Sequence, residues 1–331
     1  MTDKIVLVTD HTWPSTEPEA EVLAEVGARL VEAKTGEEAE LVELAGEADA
    51  ILTCFARVTA AVVRAAPRLQ VIGRYGIGVD NIAVDEATRL GIPVTNVPAY
   101  CLDEVAEHAL ALLLACARKV VRYDGAVRDH DWALATGMPI FRVRGRTLGI
   151  VGFGKIGQTL AGKARALGLV VLAADPYVPE AIIRERGVEP AGLDEVLRRA
   201  DFLSLHLPLT PETRYLLNAQ RLFRMKPSAF VINTSRGGVI DQAALLDALR
   251  EGWIAGAALD VFEPERLPAD HPLLALPNLI ATPHVAFYSE ESVRELEVKA
   301  ARNVAAILSG RHPEALVNPD VLALPRWAHL R

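Results

Sequence analysis

Short β-branched or apolar runs alternate with longer runs of helical period along most of this chain, and that alternation leaves few folds open. IVLVT, a helical stretch from Glu17 to Ala33, ADAILTC, a helical stretch from Thr59 to Ala66, and LQVIGRYG follow one another. Such a sequence reads as βαβ units around a parallel sheet. Pro93 and Pro98 then bracket VTNV. Proline has no N–H for a central ladder, so the first module is expected to end there, with a hinge near Ala99. A long helix follows through ALALLLACAR, with Asp103 as its expected N-cap and Glu104 and Glu107 in the first turn, where the helix dipole favours acids. A second alternating series supplies about six strands, near TLGIVG, LVVLAAD, DFLSLHLP, AFVINTS, AGAALDV and NLIATP. A final helix from about Ser289 to Ser309 is long enough to return to the first module, which would make that module discontinuous in sequence. The length of 331 residues supports two domains rather than one core.

One turn in the second series carries chemistry. VGFGKIG places Gly152, Gly154 and Gly157 in a G-x-G-x-x-G pattern, with Phe153, Lys155 and Ile156 between them. The first glycine permits a tight turn, the second admits a pyrophosphate and the third lets helix meet strand. The pattern is weak alone, but here it follows a strand-like run and opens a helical one. Asp175 ends the next strand, 23 residues after Gly152. An acid there accepts hydrogen bonds from ribose hydroxyls and repels a 2′-phosphate, so NAD is expected over NADP. The helix N-terminus adds partial positive charge and N–H donors for the pyrophosphate.

Three further segments each end an expected strand and bring one group suited to reducing a keto acid. INTSRGGVID carries Arg236, whose planar guanidinium matches a carboxylate and a neighbouring carbonyl oxygen. ALDVFEPE carries Asp260, Glu263 and Glu265, and NLIATPH ends on His284. An imidazole shuttles protons near neutral pH, and a carboxylate beside one favours the imidazolium form. It could then protonate an alkoxide as hydride reaches C2. At the carboxyl ends of one sheet these groups could converge on one crevice.

Other chemistries find less support. The formal net charge is −8 and no basic run is dense enough to neutralise several phosphates, which argues against direct nucleic-acid binding and against anionic membranes. The longest apolar run, Ala109 to Ala117, is far short of the roughly 20 residues of a membrane span and reads as a buried helix. Met1 to Asp10 has acids where a secretion signal has basic residues, and three widely spaced cysteines, Cys54, Cys101 and Cys116, suggest reduced thiols, so a cytoplasmic enzyme is expected. No Cys/His spacing suits a metal. His108, within the apolar helix, reads as a buried or interface residue.

RYGIGVDN, VGFGKIGQ, HLPLTPET, INTSRGG, GAALDVFEPE and TPHVAFYSEES occur in that order over nearly the whole chain. Through them it resembles the D-isomer-specific 2-hydroxyacid dehydrogenases. TPHVAFYSEES and SGRHPEALVN are further similar to the C-terminal-binding-protein branch, whose animal members are NADH-linked corepressors. The resemblance implies an α/β fold of two doubly wound parallel-sheet domains, a Rossmann NAD-binding domain over 100–286 inserted into a discontinuous flavodoxin-like substrate domain over 1–99 and 287–331. It implies Arg236, Glu265 and His284 as the catalytic set, with Asp260 on the nicotinamide side and Glu263 a bystander. Gln stands at the position of Glu265 in the family's formate dehydrogenases, so Glu265 suits proton transfer rather than formate oxidation.

The resemblance adds cofactor contacts from His206, Leu207, Pro208 and Thr213 around the adenine, from Thr234, Ser235 and Arg236 near the nicotinamide ribose, and from His284 and Ala286. Arg74, Tyr75, Gly76 and Ile77 become substrate contacts together with Arg236, His284 and Phe287. The corepressor branch carries Trp where Phe287 stands, so the pocket wall here is smaller and lacks an N–H donor. The end of the chain soon after the last helix leaves no room for the regulatory domains of many phosphoglycerate dehydrogenases. A homodimer is expected, with Ala109 to Ala117 suiting its interface. The expected partner is a small 2-keto or 2-hydroxy acid, and the competing reading is an NADH-responsive binding module.

Overall fold

The computed structural model describes residues 4–330. In chain order, β1 (Lys4–Val8), α1 (Glu17–Ala24), β2 (Ala28–Glu32), α2 (Glu38–Ala45), β3 (Ala50–Thr53), α3 (Ala60–Arg64), β4 (Val71–Arg74), α4 (Val84–Arg89) and β5 (Val94–Thr95) come first. Next are α5 (Leu102–Arg118), α6 (Val120–Arg128), β6 (Thr147–Val151), α7 (Lys155–Ala166), β7 (Val170–Ala174), α8 (Glu180–Glu185), β8 (Glu189–Pro190), α9 (Leu193–Arg199), β9 (Phe202–Leu205), α10 (Ala219–Phe223), β10 (Phe230–Asn233), α11 (Gln242–Arg250), β11 (Gly256–Leu259) and β12 (Leu279–Ala281). α12 (Glu290–Leu308) closes the series. The chain divides into two units: everything up to Tyr100 with the stretch from Ser289 onward, and Cys101–Tyr288.

In the first unit the sheet runs β2-β1-β3-β4-β5, all parallel. That is the flavodoxin-type order, which reverses direction between β1 and β3. β3 and β4 are buried along their whole length, as strands covered on both faces must be. α12 packs against α1, β3, β4 and β5. Its start is fixed by Ser289, whose hydroxyl accepts the Ser292 N–H while the Ser292 hydroxyl accepts the Ser289 N–H, a reciprocal cap.

The second unit holds a seven-stranded parallel sheet in the order β12-β11-β10-β9-β6-β7-β8. Its direction reverses between β6 and β9, the place where open α/β sheets take ligands beyond their carboxyl ends. One face carries Leu148, Ile150, Phe153, Leu160 and Ala164 packed with Leu112, Leu113 and Cys116 of α5. Each fully buried large aliphatic chain stabilises by about 1.5–3 kcal/mol. All three cysteines are buried, and burial pushes the Cys54 and Cys116 thiols up to about 12.

Several expectations change. The helix expected to continue from Glu17 to Ala33 stops at Ala24, and ARLVE forms edge strand β2 beyond Gly27, whose φ of 68° turns the chain. VTNV does not merely mark a crossover: Val94–Thr95 pairs with β4 as a two-residue edge strand between the prolines. The N-cap of α5 is Cys101 rather than Asp103, which lies in the first turn. The second sheet gains β8 at its margin. The apolar face of α5 is packed within its own unit, and the exposed apolar side chains lie instead just beyond it, at Val120, Val121, Trp132, Leu134, Met138 and Phe141. No helix among the described residues is long and apolar enough to cross a membrane.

Candidate active site

The second unit gathers its chemistry at strand ends. Gly152 follows β6 at φ 91°, and a Cβ there would meet the His206 carbonyl oxygen at 2.3 Å. A Cβ on Gly157 would lie 2.4 Å from the Gly152 oxygen, so strand and helix approach as closely as the motif requires. Gly154 faces open space instead, with nothing within 4 Å of an added Cβ. It is also the N-cap of α7 and makes no side-chain cap, which leaves that helix end open to an anion. Lys155 is exposed and Ile156 half-buried, whereas the Phe153 ring is wholly buried in the core. Only the backbone of Phe153 serves the turn, its N–H donating to Asp175 Oδ2 at 2.7 Å. The other Asp175 oxygen accepts the Tyr177 N–H at 2.8 Å, which fixes the carboxylate at the end of β7.

After β9, His206 Nε2 lies 2.8 Å from the Ser204 hydroxyl. Burial of its ring lowers its pKa to about 4, so it is neutral at ordinary pH. Leu207 and Pro208 lead into a turn closed by Thr213, whose hydroxyl donates to the Pro208 carbonyl at 2.6 Å. After β10, Asn233 braces the next turn: its amide donates to the Arg236 carbonyl at 2.9 Å, and its oxygen accepts the Ser235 N–H and hydroxyl. The Thr234 hydroxyl is buried and has no partner within the protein. Such an atom suits a ligand hydroxyl or amide, since a buried unmatched donor costs about 1–3 kcal/mol. The open cradle at Gly154, the fixed Asp175 and the orphaned Thr234 together fit a dinucleotide.

His284 and Glu265 meet directly, through Nδ1 and Oε1. The carboxylate on Nδ1 sets the orientation of the imidazole ring. The Phe287 ring stands edge-on to the imidazole at 6.2 Å between centroids. His284 itself is held at φ 57°. Asp260 holds it there, and the carboxylate expected on the nicotinamide side is engaged by the protein: Oδ2 accepts the Ala286 N–H, and Oδ1 accepts the Val285 N–H and the Thr282 hydroxyl. Glu263 turns away to pair with Arg214 at 2.7 Å. Thr282, which nothing in the sequence singled out, also meets His108, whose Nε2 is 3.0 Å from the Thr282 hydroxyl oxygen. Among the described residues no group of three or more His, Cys, Asp or Glu side chains could hold a metal ion.

In the first unit, Arg74 ends β4 with its side chain 7% exposed; NH1 donates to the Tyr75 carbonyl and Nε has no partner within the protein. The Tyr75 ring is not at the surface: it packs edge-on to Trp13, with centroids 4.9 Å apart, so Tyr75 can offer only backbone. That backbone is also engaged, as are the Gly76 carbonyl, by the Val97 N–H, and the Ile77 carbonyl, by the Asn96 amide.

The model of the D-isomer specific 2-hydroxyacid dehydrogenase NAD binding domain matches residues 110–286. A glyoxylate reductase of Korarchaeum cryptofilum is 44% identical over 286 residues, covering 85% of this chain and 86% of that protein. A D-3-phosphoglycerate dehydrogenase of Methanocaldococcus jannaschii is 40% identical over 95% of this chain, which spans 59% of that longer protein. The D-lactate dehydrogenase of Aquifex aeolicus, solved with NAD and lactic acid, superposes with a TM-score of 0.83 at 27% identity, covering 97% of this chain and 98% of that one. The likeness to C-terminal-binding proteins thus rests on the stretches that first indicated it, and nothing in these comparisons supports a binding module in place of an enzyme. The chain belongs to the D-isomer-specific 2-hydroxyacid dehydrogenase family and is an NAD-dependent oxidoreductase of 2-hydroxy acids.

Proposed function

We propose that this enzyme reduces a small 2-keto acid of the glyoxylate or hydroxypyruvate kind, with His284 as proton donor, Glu265 orienting it and Arg236 holding the carboxylate. The observation that carries this reading is the pair formed by His284, on the turn after β12, and Glu265, on the segment after β11, in the same unit as the Gly154 cradle and Arg236. NAD, when bound in its reduced form, supplies the hydride that reduces C2. His284 holds a proton on Nε2 and delivers it to the oxygen that becomes the alcohol, while Glu265 keeps the ring in one orientation. The planar guanidinium of Arg236 pairs with the carboxylate. A second carboxylate contact is assigned to Arg74. Gly152 to Gly157, Asp175, His206 to Thr213, Thr234, Ser235 and Ala286 are assigned to the cofactor, and Phe287 to the wall of the substrate site.

The test is NADH oxidation against glyoxylate, hydroxypyruvate, pyruvate and phenylpyruvate. Turnover of a small acid that falls about 10²–10⁴-fold in His284→Ala is expected of a lost general acid. Silence of the wild type across the panel would overturn the reading.

The working form is proposed to be a homodimer in the cytoplasm. Its interface would use Trp132, at 79% exposure, with Leu134 and Met138, because a run of exposed apolar residues of this kind marks an association surface. Light scattering should give twice the chain mass, and one chain mass after joint replacement of Trp132 and Leu134 by Ser. The buried thiols accord with a reducing compartment.

A further inference from the structure

The turn that carries His284 depends on one carboxylate. The Asp260 carbonyl accepts the His284 N–H at 2.7 Å, its Oδ2 accepts the Ala286 N–H at 2.9 Å, and its Oδ1 accepts the Val285 N–H at 3.0 Å. Three consecutive N–H groups therefore converge on a single residue that is 1% exposed. The turn needs that support, because the left-handed backbone of His284 costs about 1–3 kcal/mol for a residue with a side chain.

The hydrogen-bond arithmetic continues one step outward. The Thr282 hydroxyl lies 2.6 Å from Asp260 Oδ1 and 3.0 Å from His108 Nε2. It has one hydrogen, and a carboxylate at that distance takes it. His108 Nε2 must then be the donor to Thr282 Oγ1, so this ring carries its hydrogen on Nε2. The same nitrogen is 3.6 Å from Asp260 Oδ1. The chain of donors thus runs in one direction, from α5 through Thr282 to Asp260, and ends on the turn that presents His284.

We propose that His108 is a positioning residue for the proton transfer: its Nε2–H orients the Thr282 hydroxyl, which fixes the Asp260 carboxylate and, through it, the register and ring placement of His284. A ring that swings loses alignment with the reacting oxygen while ground-state binding is little changed, since none of these three groups is assigned to the substrate. The effect falls on kcat rather than KM. This inference rests on the proposed role of His284 as proton donor.

The experiment compares His108→Phe, His108→Gln and Thr282→Val with the wild type, using the best acid of the panel. His108→Phe and Thr282→Val should each lower kcat roughly tenfold with KM and NADH affinity within about twofold, as for a misplaced catalytic group. The primary isotope effect with deuterated NADH should rise as the chemical step becomes limiting. The double variant should be no slower than either single one, because both break one chain. His108→Gln, whose amide can still donate, should recover most of the rate.

Independently of turnover, imidazole ¹⁵N spectra of the resting protein, assigned by loss of the signal in His108→Phe, should show a protonated Nε2. Unchanged kcat in His108→Phe, equal loss in the Gln variant, additive losses in the double variant, or a bare Nε2 would each overturn the proposal. A wild type silent with every acid would instead overturn the functional reading, and this inference with it.

Discussion

Both units bury carboxylates at or near the carboxyl ends of their sheets, and they treat them in opposite ways. In the second unit Asp260 is surrounded by donors: two backbone N–H groups and a hydroxyl reach its carboxylate. In the first unit Glu19 is wholly buried; its Oε1 accepts the Trp13 indole N–H at a long 3.3 Å, and its Oε2 has no partner within the protein. Burial raises the pKa of Glu19 as a result. Glu297 on α12, 5% exposed, is raised to about 7, first by burial and then by repulsion from Glu19. A donor-saturated acid organises a turn; an acid deprived of donors keeps its proton. The same residue chemistry thus serves as a bracket in one unit and as a titratable filler in the other.

The largest effect that would sharpen this contrast belongs to Asp260→Ala. Freeing two N–H groups and the Thr282 hydroxyl should cost about 3 kcal/mol of stability in denaturant unfolding, and kcat should fall by about 10² or more. Near-normal turnover in a folded Asp260→Ala protein would break the idea that this carboxylate is the bracket.

Glu297→Gln comes next and should act in the other direction. The folded value of Glu297 lies above the ordinary carboxylate range, so the folded state binds the extra proton and its stabilising share is complete below about pH 4.5. That share is lost as pH rises toward 7. The wild type should therefore lose stability between pH 5 and pH 7.5, and Glu297→Gln should flatten that loss and gain about 1–2 kcal/mol at pH 8 after allowance for solvent screening. Parallel melting curves for the two proteins across that range would show that Glu297 is not strained by its surroundings.

The smallest effect is expected of Trp13→Phe. It removes the indole donor from Glu19 while keeping an aromatic edge against Tyr75, and should cost about 1 kcal/mol at pH 7, growing as pH rises. A stabilised variant would mean that the long 3.3 Å contact contributes nothing.

Much of this architecture was legible in the residues because the strands are buried on both faces and read as short apolar runs. TLGIV, VVLAA, FLSL and FVIN each fall where alternation placed them. Edge strands were less legible: ARLVE is half-exposed and its pattern blends with the helix before it, and Glu189–Pro190 is two residues long. The family resemblance drew Glu265 and His284, from two separate motifs, into one set. The His108–Thr282 contact was not, because 174 residues separate the two and no local periodicity links them. Glu19 and Glu297 look like ordinary acids on helical stretches, and only the packing of α1 against α12 shows that they face inward. The inward direction of the Tyr75 ring is equally invisible in the sequence, since a motif position does not reveal which way a ring turns.

The burial of all three cysteines has a practical corollary. With Cys54 and Cys116 pushed up to about 12, their thiols hold little of the thiolate that attacks maleimides at neutral pH. A cysteine introduced at an exposed position such as Phe223 or Tyr177 would then be the preferred attachment point for a fluorophore or spin label. The enzyme can thus be tagged at a chosen position while its native thiols remain in place.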